Sequence, residues 1–252
     1  MALYKTDAIF LRVQPFAEAD RLTTLLTPEY GKVRAVAKGA QKGRGALTAA
    51  VQPFVRARLV LWQGRQLDGI SQAEVVAAHR SLIADLARLA AASYCCDLAD
   101  AFTTEGQEAV RIFSLLALAL TWLDGASAEA QVPVLLRWFE MGLLRAAGFL
   151  PEWWSCTGCG RPLGEPQGRI RFSPSGGGLL CPDCSLSDPQ GIWLSRNAVR
   201  ALRHLAGARA ASLDAVRVGP LTMGDMDRAL SRHIRGILQR PLVSRAVLDT
   251  LS

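Results

Sequence analysis

Pro28-Glu29-Tyr30-Gly31 followed by Lys32-Val33-Arg34-Ala35-Val36-Ala37 is the stretch on which the fold turns. The first four residues are a turn signal. Side chains of a strand point alternately to two faces, so Val33, Ala35 and Ala37 share one face while Lys32, Arg34 and the adjoining Lys38 share the other. A strand with one apolar face and one wet, basic face suits the wall of a small barrel. Upstream, residues 3–13 and 22–27 alternate in the same β-rich way. Downstream, strands are expected near Phe54–Trp62 and Gln66–Val76, split by Gln63-Gly64-Arg65. About five strands in some eighty residues predict a closed β-barrel of the oligonucleotide-binding (OB) type over residues 1–79.

Beyond Ser81 the period changes. Leu82, Leu86 and Leu89, then Ile112, Leu115, Leu116 and Leu120, then Leu135, Leu136, Phe139 and Leu143 recur at helical spacing. Residues 80–150 are therefore expected to form the first part of a helical domain. Its second part, 189–252, is predicted to hold one helix capped by Ser195 and another capped by Thr222. Between the parts, residues 151–188 carry Cys156-Thr157-Gly158-Cys159 and Cys181-Pro182-Asp183-Cys184. The fold class is a multi-domain α+β protein: barrel, helical domain, and a four-cysteine knuckle inserted in the latter.

A two-residue gap lets both thiolates of a knuckle reach one ion, and the long loop between the pairs can bring the second knuckle round to complete a tetrahedron. Cys156, Cys159, Cys181 and Cys184 are accordingly assigned one structural Zn²⁺. Four thiolates leave no open coordination position, so the ion's expected role is to fold a small module that lacks a core of its own. Cys95 and Cys96 sit in an Ala-rich helical stretch and are read as core or idle thiols. The longest apolar run, around Leu115–Leu123, is far short of a bilayer span and no export signal is evident, which points to a reducing cytoplasm and no membrane.

The formal charge of +7 is segmental. No acidic residue lies between Glu29 and Asp68, whereas Lys32, Arg34, Lys38, Lys42, Arg44, Arg56, Arg58 and Arg65 all do. Such a patch suits a polyanion. Lys32, Arg34, Lys38, Lys42, Arg44, Arg56 and Arg58 are the candidate nucleic-acid contacts, with Tyr30 or Trp62 as candidate stacking surfaces, Trp62 fitting a core role better. Arg196, Arg200 and Arg203 on one predicted helix face, and Arg228, Arg232 and Arg235 on another, are either a second nucleic-acid surface or ordinary solvated faces. Arg161, Arg169 and Arg171 raise the same choice within the cysteine module.

Catalysis has little to stand on. His79, His204 and His233 fall in no nucleophile or metal-hydrolase pattern, and Gly39–Gly45 lacks the Lys-Ser/Thr ending of a phosphate loop. Asp225 and Asp227, two apart on a helix, point in different directions.

The order of features resembles the bacterial recombination mediators of the RecO family. Glu18-Ala19-Asp20-Arg21, Thr27-Pro28-Glu29-Tyr30-Gly31-Lys32, Ala37-Lys38-Gly39-Ala40 and Gln52-Pro53-Phe54 are similar to that family's N-terminal pattern, and Phe139-Glu140 with Gly148, Pro151 and the knuckle to its second half. The resemblance implies a non-enzymatic, cytoplasmic and nucleoid-associated protein that binds single- and double-stranded DNA and anneals complementary strands. It further implies work with RecR to load RecA onto strands coated by single-stranded DNA-binding protein, docking of that protein's C-terminal tail on the helical domain, and RecF as a pathway partner. The competing expectation is a zinc-stabilised scaffold that binds protein or structured RNA.

Overall fold

The computed structural model describes residues 2–42, 45–125 and 131–251. They divide into two compact units, one within Met1–Ser127 and Leu242–Ser252, the other within Ala128–Pro241.

In the first unit, β1 (Leu3–Phe16), β2 (Asp20–Thr27), β3 (Gly31–Ala37), β4 (Arg56–Trp62) and β5 (Asp68–Ala77) close into a barrel in the order β1-β2-β3-β5-β4. β1 makes the closure. Its first half runs antiparallel to β4, from Leu3 opposite Trp62 to Ile9 opposite Arg56, and its second half pairs with β2, from Ile9 opposite Leu26 to Phe16 opposite Asp20. The register shifts between Phe10 and Arg12, an irregularity that bends a strand round a corner. β3 meets β5 in parallel at Ala35–Asp68 and Val36–Gly69. Inside lie Phe10, Leu25, Leu59, Leu61 and Ile70, and the alternation read in β3 holds, with Val33, Ala35 and Ala37 buried and Arg34 exposed.

Between β3 and β4 the sequence carries the basic, glycine-rich run Gly39–Gly45 and no helical period. The structure adds α1 (Ala46–Ala50), whose Leu47 packs on the barrel core and which ends at buried Val51. Five residues are too few to display a 3.6-residue period, so the pattern could not announce it. Trp62 is half-buried and lies over Gly69 of β5, where a Cβ would sit 1.9 Å from the indole; the missing side chain is the space the ring fills.

A 3-10 turn at Arg80–Ile83 leads to α2 (Leu86–Ala101) and α3 (Val110–Gly125), which pack on each other and on β1 and β2 respectively. Asp85 caps α2, accepting the Arg88 N–H at 3.0 Å. The 102–109 loop clasps the β2–β3 turn: Lys32 N–H donates to Thr104 O at 3.1 Å, Gly106 N–H to Tyr30 O at 3.0 Å, and Ala109 N–H to Pro28 O at 2.8 Å. Gly31 makes the clasp possible, with φ of +63° and a position where a Cβ would fall 2.2 Å from Gln107 O.

The second unit packs α4 (Val132–Ala146), α6 (Arg196–Gly207) and α7 (Pro220–Leu238) together beside the sheet β7-β6-β8, made of β6 (Ile170–Ser173), β7 (Gly178–Leu180) and β8 (Ile192–Leu194). A single helical turn, α5 (Pro182–Ser185), follows β7. Ser195 caps α6 as read, its hydroxyl accepting the Ala198 N–H at 3.3 Å. Thr222 does not cap α7. That helix begins earlier, at Pro220 after Gly219, because proline at the first helical position has its φ preset and no N–H to leave unpaired. The last helix, α8 (Val243–Leu251), packs on α2 in the first unit, so the helical sequence is shared between both units. No helix among the described residues is long and apolar enough to cross a membrane.

Candidate metal centre and nucleic-acid interface

The first cysteine pair sits on a turn in which Gly160 N–H donates to Cys156 O at 2.8 Å and Cys156 N–H to Arg161 O at 2.9 Å. The second begins where β7 ends, and Pro182 opens the helical turn that carries Cys184. Thr157 N–H reaches Leu179 O at 2.9 Å, tying the first knuckle to the strand that delivers the second. As a result the four Sγ atoms lie within 4.8 Å of one another, with Cys159 and Cys181 3.8 Å apart. A tetrahedron with metal–sulfur bonds of about 2.3 Å has edges of about 3.8 Å, so the donor set fits one thiolate-bound cation.

The electrostatics agree with that fit. Burial acts to raise the Cys156 thiol, but N–H groups of Cys181, Cys159 and Gly158 directed at its sulfur outweigh it and hold the thiol down at about 6. Cys184 moves the opposite way, up to about 12, through its hydrogen bonds with Cys181, Cys156 and Cys159. The two sulfurs are driven in opposite directions, as expected of crowded thiols; a bound cation would take all four as thiolates and release the protons they still hold. The apolar cluster packed round these sulfurs is small, with Leu180 buried and Leu163 partly so, while Trp153, Phe172 and Leu179 of the same stretch are fully buried.

Two side chains, Arg203 and His233, hold the module to the helices of its unit. Arg203 of α6 donates to Trp153 O at 2.9 Å, Leu163 O at 3.0 Å and Gly164 O at 3.1 Å. His233 of α7 is buried, its Nδ1 2.9 Å from Pro174 O and its Nε2 2.9 Å from Phe149 O. Its ring also stands edge-on to Phe172, which stacks on Trp153 at 5.1 Å. The arginine stripe of α6 thus contains one internal brace, Arg203, and one surface ion pair, Arg200 with Glu165 at 2.7 Å. In the module itself Arg161 pairs with Asp183 at 3.2 Å, Arg169 donates to Trp193 O, and Arg171 lies over the Trp193 ring. Sequence spacing carries no sign of these partners, which come from far along the chain.

The basic residues of the barrel separate into two groups. Lys32 meets Asp100 of α2 at 2.8 Å; Arg56 meets Asp7 at 2.6 Å and lies over the Phe113 ring; Arg58 is within 3.9 Å of Asp7 and 3.5 Å of Glu74. Arg34, Lys38 and Lys42 are exposed and have no acidic partner among the described residues. Arg44 lies outside the described residues. Arg34 is shared by two surface cavities, one of about 330 Å³ that also takes in Arg12 and Lys32, and one of about 400 Å³ beside Tyr4 and Tyr30.

Comparison with known proteins gives two family matches in tandem: "Recombination protein O N terminal" over residues 1–79 and "Recombination protein O C terminal" over residues 83–246. Among curated relatives, the DNA repair protein RecO of Symbiobacterium thermophilum is 40% identical over 251 residues, covering 100% of this chain and 98% of the relative. That of Desulforudis audaxviator is 39% identical over 239 residues, covering 95% and 90%, and that of a Roseiflexus species 36% identical over 247 residues, covering 98% and 85%.

Proposed function

The chain belongs to the RecO family of recombination proteins, and from that premise we propose that it serves DNA repair by binding and annealing strands, without making or breaking a covalent bond. The barrel, of OB type in this reading, is the main DNA surface; the strand order β1-β2-β3-β5-β4 in a closed five-stranded barrel supports the assignment. The observation that carries the function is the exposed set Arg34, Lys38 and Lys42, whose charges are not spent on carboxylates among the described residues.

Cations of this kind neutralise phosphates and release counterions, giving binding that is salt-sensitive and indifferent to sequence. Two complementary strands held on one such surface have their mutual repulsion screened, and pairing then follows from proximity. Displacing a competing single-strand binder needs a contact to that protein as well. The further steps belong to the same proposal: docking of the C-terminal tail of single-stranded DNA-binding protein on the helical part, and work with RecR, in a pathway with RecF, to load RecA. One Zn²⁺ held by Cys156, Cys159, Cys181 and Cys184 supplies folding of the module and no reactive position.

The test is annealing of complementary oligonucleotides coated with single-stranded DNA-binding protein, across a salt series, with Arg34→Glu, Lys38→Glu and Lys42→Glu combined in one variant. Acceleration by the native protein should fade with salt. The variant should lose it, and the slope of log K against log salt should fall by about 2 for single strands. A folded triple variant that anneals and binds like the native protein would overturn the reading.

A further inference from the structure

Beyond the cations, the barrel face holds a cavity of about 400 Å³ that shares Arg34, Lys32 and the exposed Glu105 with its neighbour and adds aromatic side chains to them. It contains Tyr4 and Tyr30, with ring centroids 4.7 Å apart and planes inclined at 60°, together with Arg34, Gln63, Gln66 and Asp68. Tyr4 is fixed from behind. Its hydroxyl donates to Asp68, and burial followed by that carboxylate raises the phenol well above its ordinary range, keeping it a donor. Asp68 in turn accepts the Gly64 N–H at 3.0 Å, so the turn that carries Gln63 and the start of β5 close one side of the cavity.

Tyr30 is placed with equal firmness but faces outward. Its N–H donates to the Thr27 hydroxyl at 3.2 Å and its carbonyl accepts the Gly106 N–H at 3.0 Å, on the turn that the 102–109 loop clasps through Gly31. The backbone is pinned on both sides while 41% of the residue stays exposed. A large aromatic side chain left in water on a rigid turn, one edge against a second tyrosine, next to an arginine without an acidic partner among the described residues, matches what an unpaired nucleobase and its phosphate require.

We propose that this cavity takes one unstacked base of a single strand: Tyr30 stacks on it, the amides of Gln63 and Gln66 meet its polar edge, and Arg34 holds the adjoining phosphate. The inference rests on the reading that the barrel binds nucleic acid, and adds a preference to it. A base in a duplex is stacked above and below and hydrogen-bonded to its partner, so it cannot enter; the contact belongs to single strands alone. Because every base has a π-face, the site needs no particular sequence, although its amides allow a mild one.

The experiment measures the full-length protein binding a fluorescent single-stranded oligonucleotide and the matching duplex at one salt concentration, for the native chain, Tyr30→Ala, Tyr30→Leu and Tyr30→Phe, each checked for folding by circular dichroism. Tyr30→Leu keeps apolar bulk against Tyr4 should the alanine variant fail to fold. Loss of a stacked base predicts single-strand binding weaker by roughly five- to a hundred-fold in the alanine and leucine variants, unchanged duplex binding, and recovery in the phenylalanine variant. Native binding to both forms with no single-strand loss in folded Tyr30→Leu, or equal loss for single strand and duplex, overturns the base site and leaves the basic face intact. Native protein that binds neither form overturns the nucleic-acid reading and this site with it.

Discussion

The cysteine knuckle and the basic barrel face both concentrate groups of one kind, and they differ in where their partners come from. Each thiol of the knuckle has a second thiol three residues away in sequence, and the fold has only to bring two such pairs together, with Cys159 and Cys181 3.8 Å apart. The cations of the barrel are local in sequence but are answered by distant residues: Asp100 from α2 for Lys32, Asp7 from β1 for Arg56, Glu74 from β5 for Arg58. A stretch with no acid in it is therefore not a surface with no acid on it. The lesson is that a site whose chemistry is supplied by its own motif can be read from spacing, whereas a charged surface must be read after the fold has brought up its counter-charges.

The largest effect should come from attacking the self-contained site. Purified protein is expected to hold about one zinc per chain by elemental analysis, and Cys156→Ser with Cys181→Ser, or a strong chelator, should abolish it. Binding free energies of structural zinc are of order 10 kcal/mol, far more than the small cluster round the sulfurs returns by itself. Hydrogen exchange should then rise across residues 151–194 while the barrel strands keep their protection. Retained protection in the module after complete metal loss would show that braces from α6 and α7 suffice without the ion.

Those braces show where sequence reading stopped. Closed pairs of cysteines, the strand alternation of β3, the Ser195 cap and the change of period near Ser81 all depend on neighbours within a few turns, and all appear in the structure as read. The short helix α1 and the start of α7 are not legible in the sequence, because one has too few residues for a period and the other is set by Pro220 rather than by the capping residue type at Thr222. On α6, Arg200 and Arg203 look alike in sequence, four and seven residues beyond Arg196. Arg203 donates to three carbonyls and is largely buried, whereas Arg200 makes one exposed ion pair. Arg203→Met should thus cost about 3 kcal/mol, since three carbonyls lose charged donors, while Arg200→Ala should cost about 0.5 kcal/mol or less in denaturant unfolding. Equal costs would mean that the internal hydrogen bonds do not bear on stability.

The smallest effect is the one that tests the comparison within the barrel itself. Lys38 is exposed and without an acidic partner among the described residues, while Lys32 sits 2.8 Å from Asp100 with 22% of its side chain exposed. A lysine already facing a carboxylate neutralises a phosphate only by giving up that partner, so its net release of counterions is reduced. Lys38→Gln should lower the salt slope for single strands by about 0.7, one full phosphate contact. Lys32→Gln should lower it by a clearly smaller amount and should instead cost about 0.5–1 kcal/mol of stability through the loss of its ion pair. If both substitutions reduce the slope equally and neither moves the unfolding midpoint, the pairing with Asp100 gives way to DNA at no cost, and the whole acid-free segment acts as one surface after all.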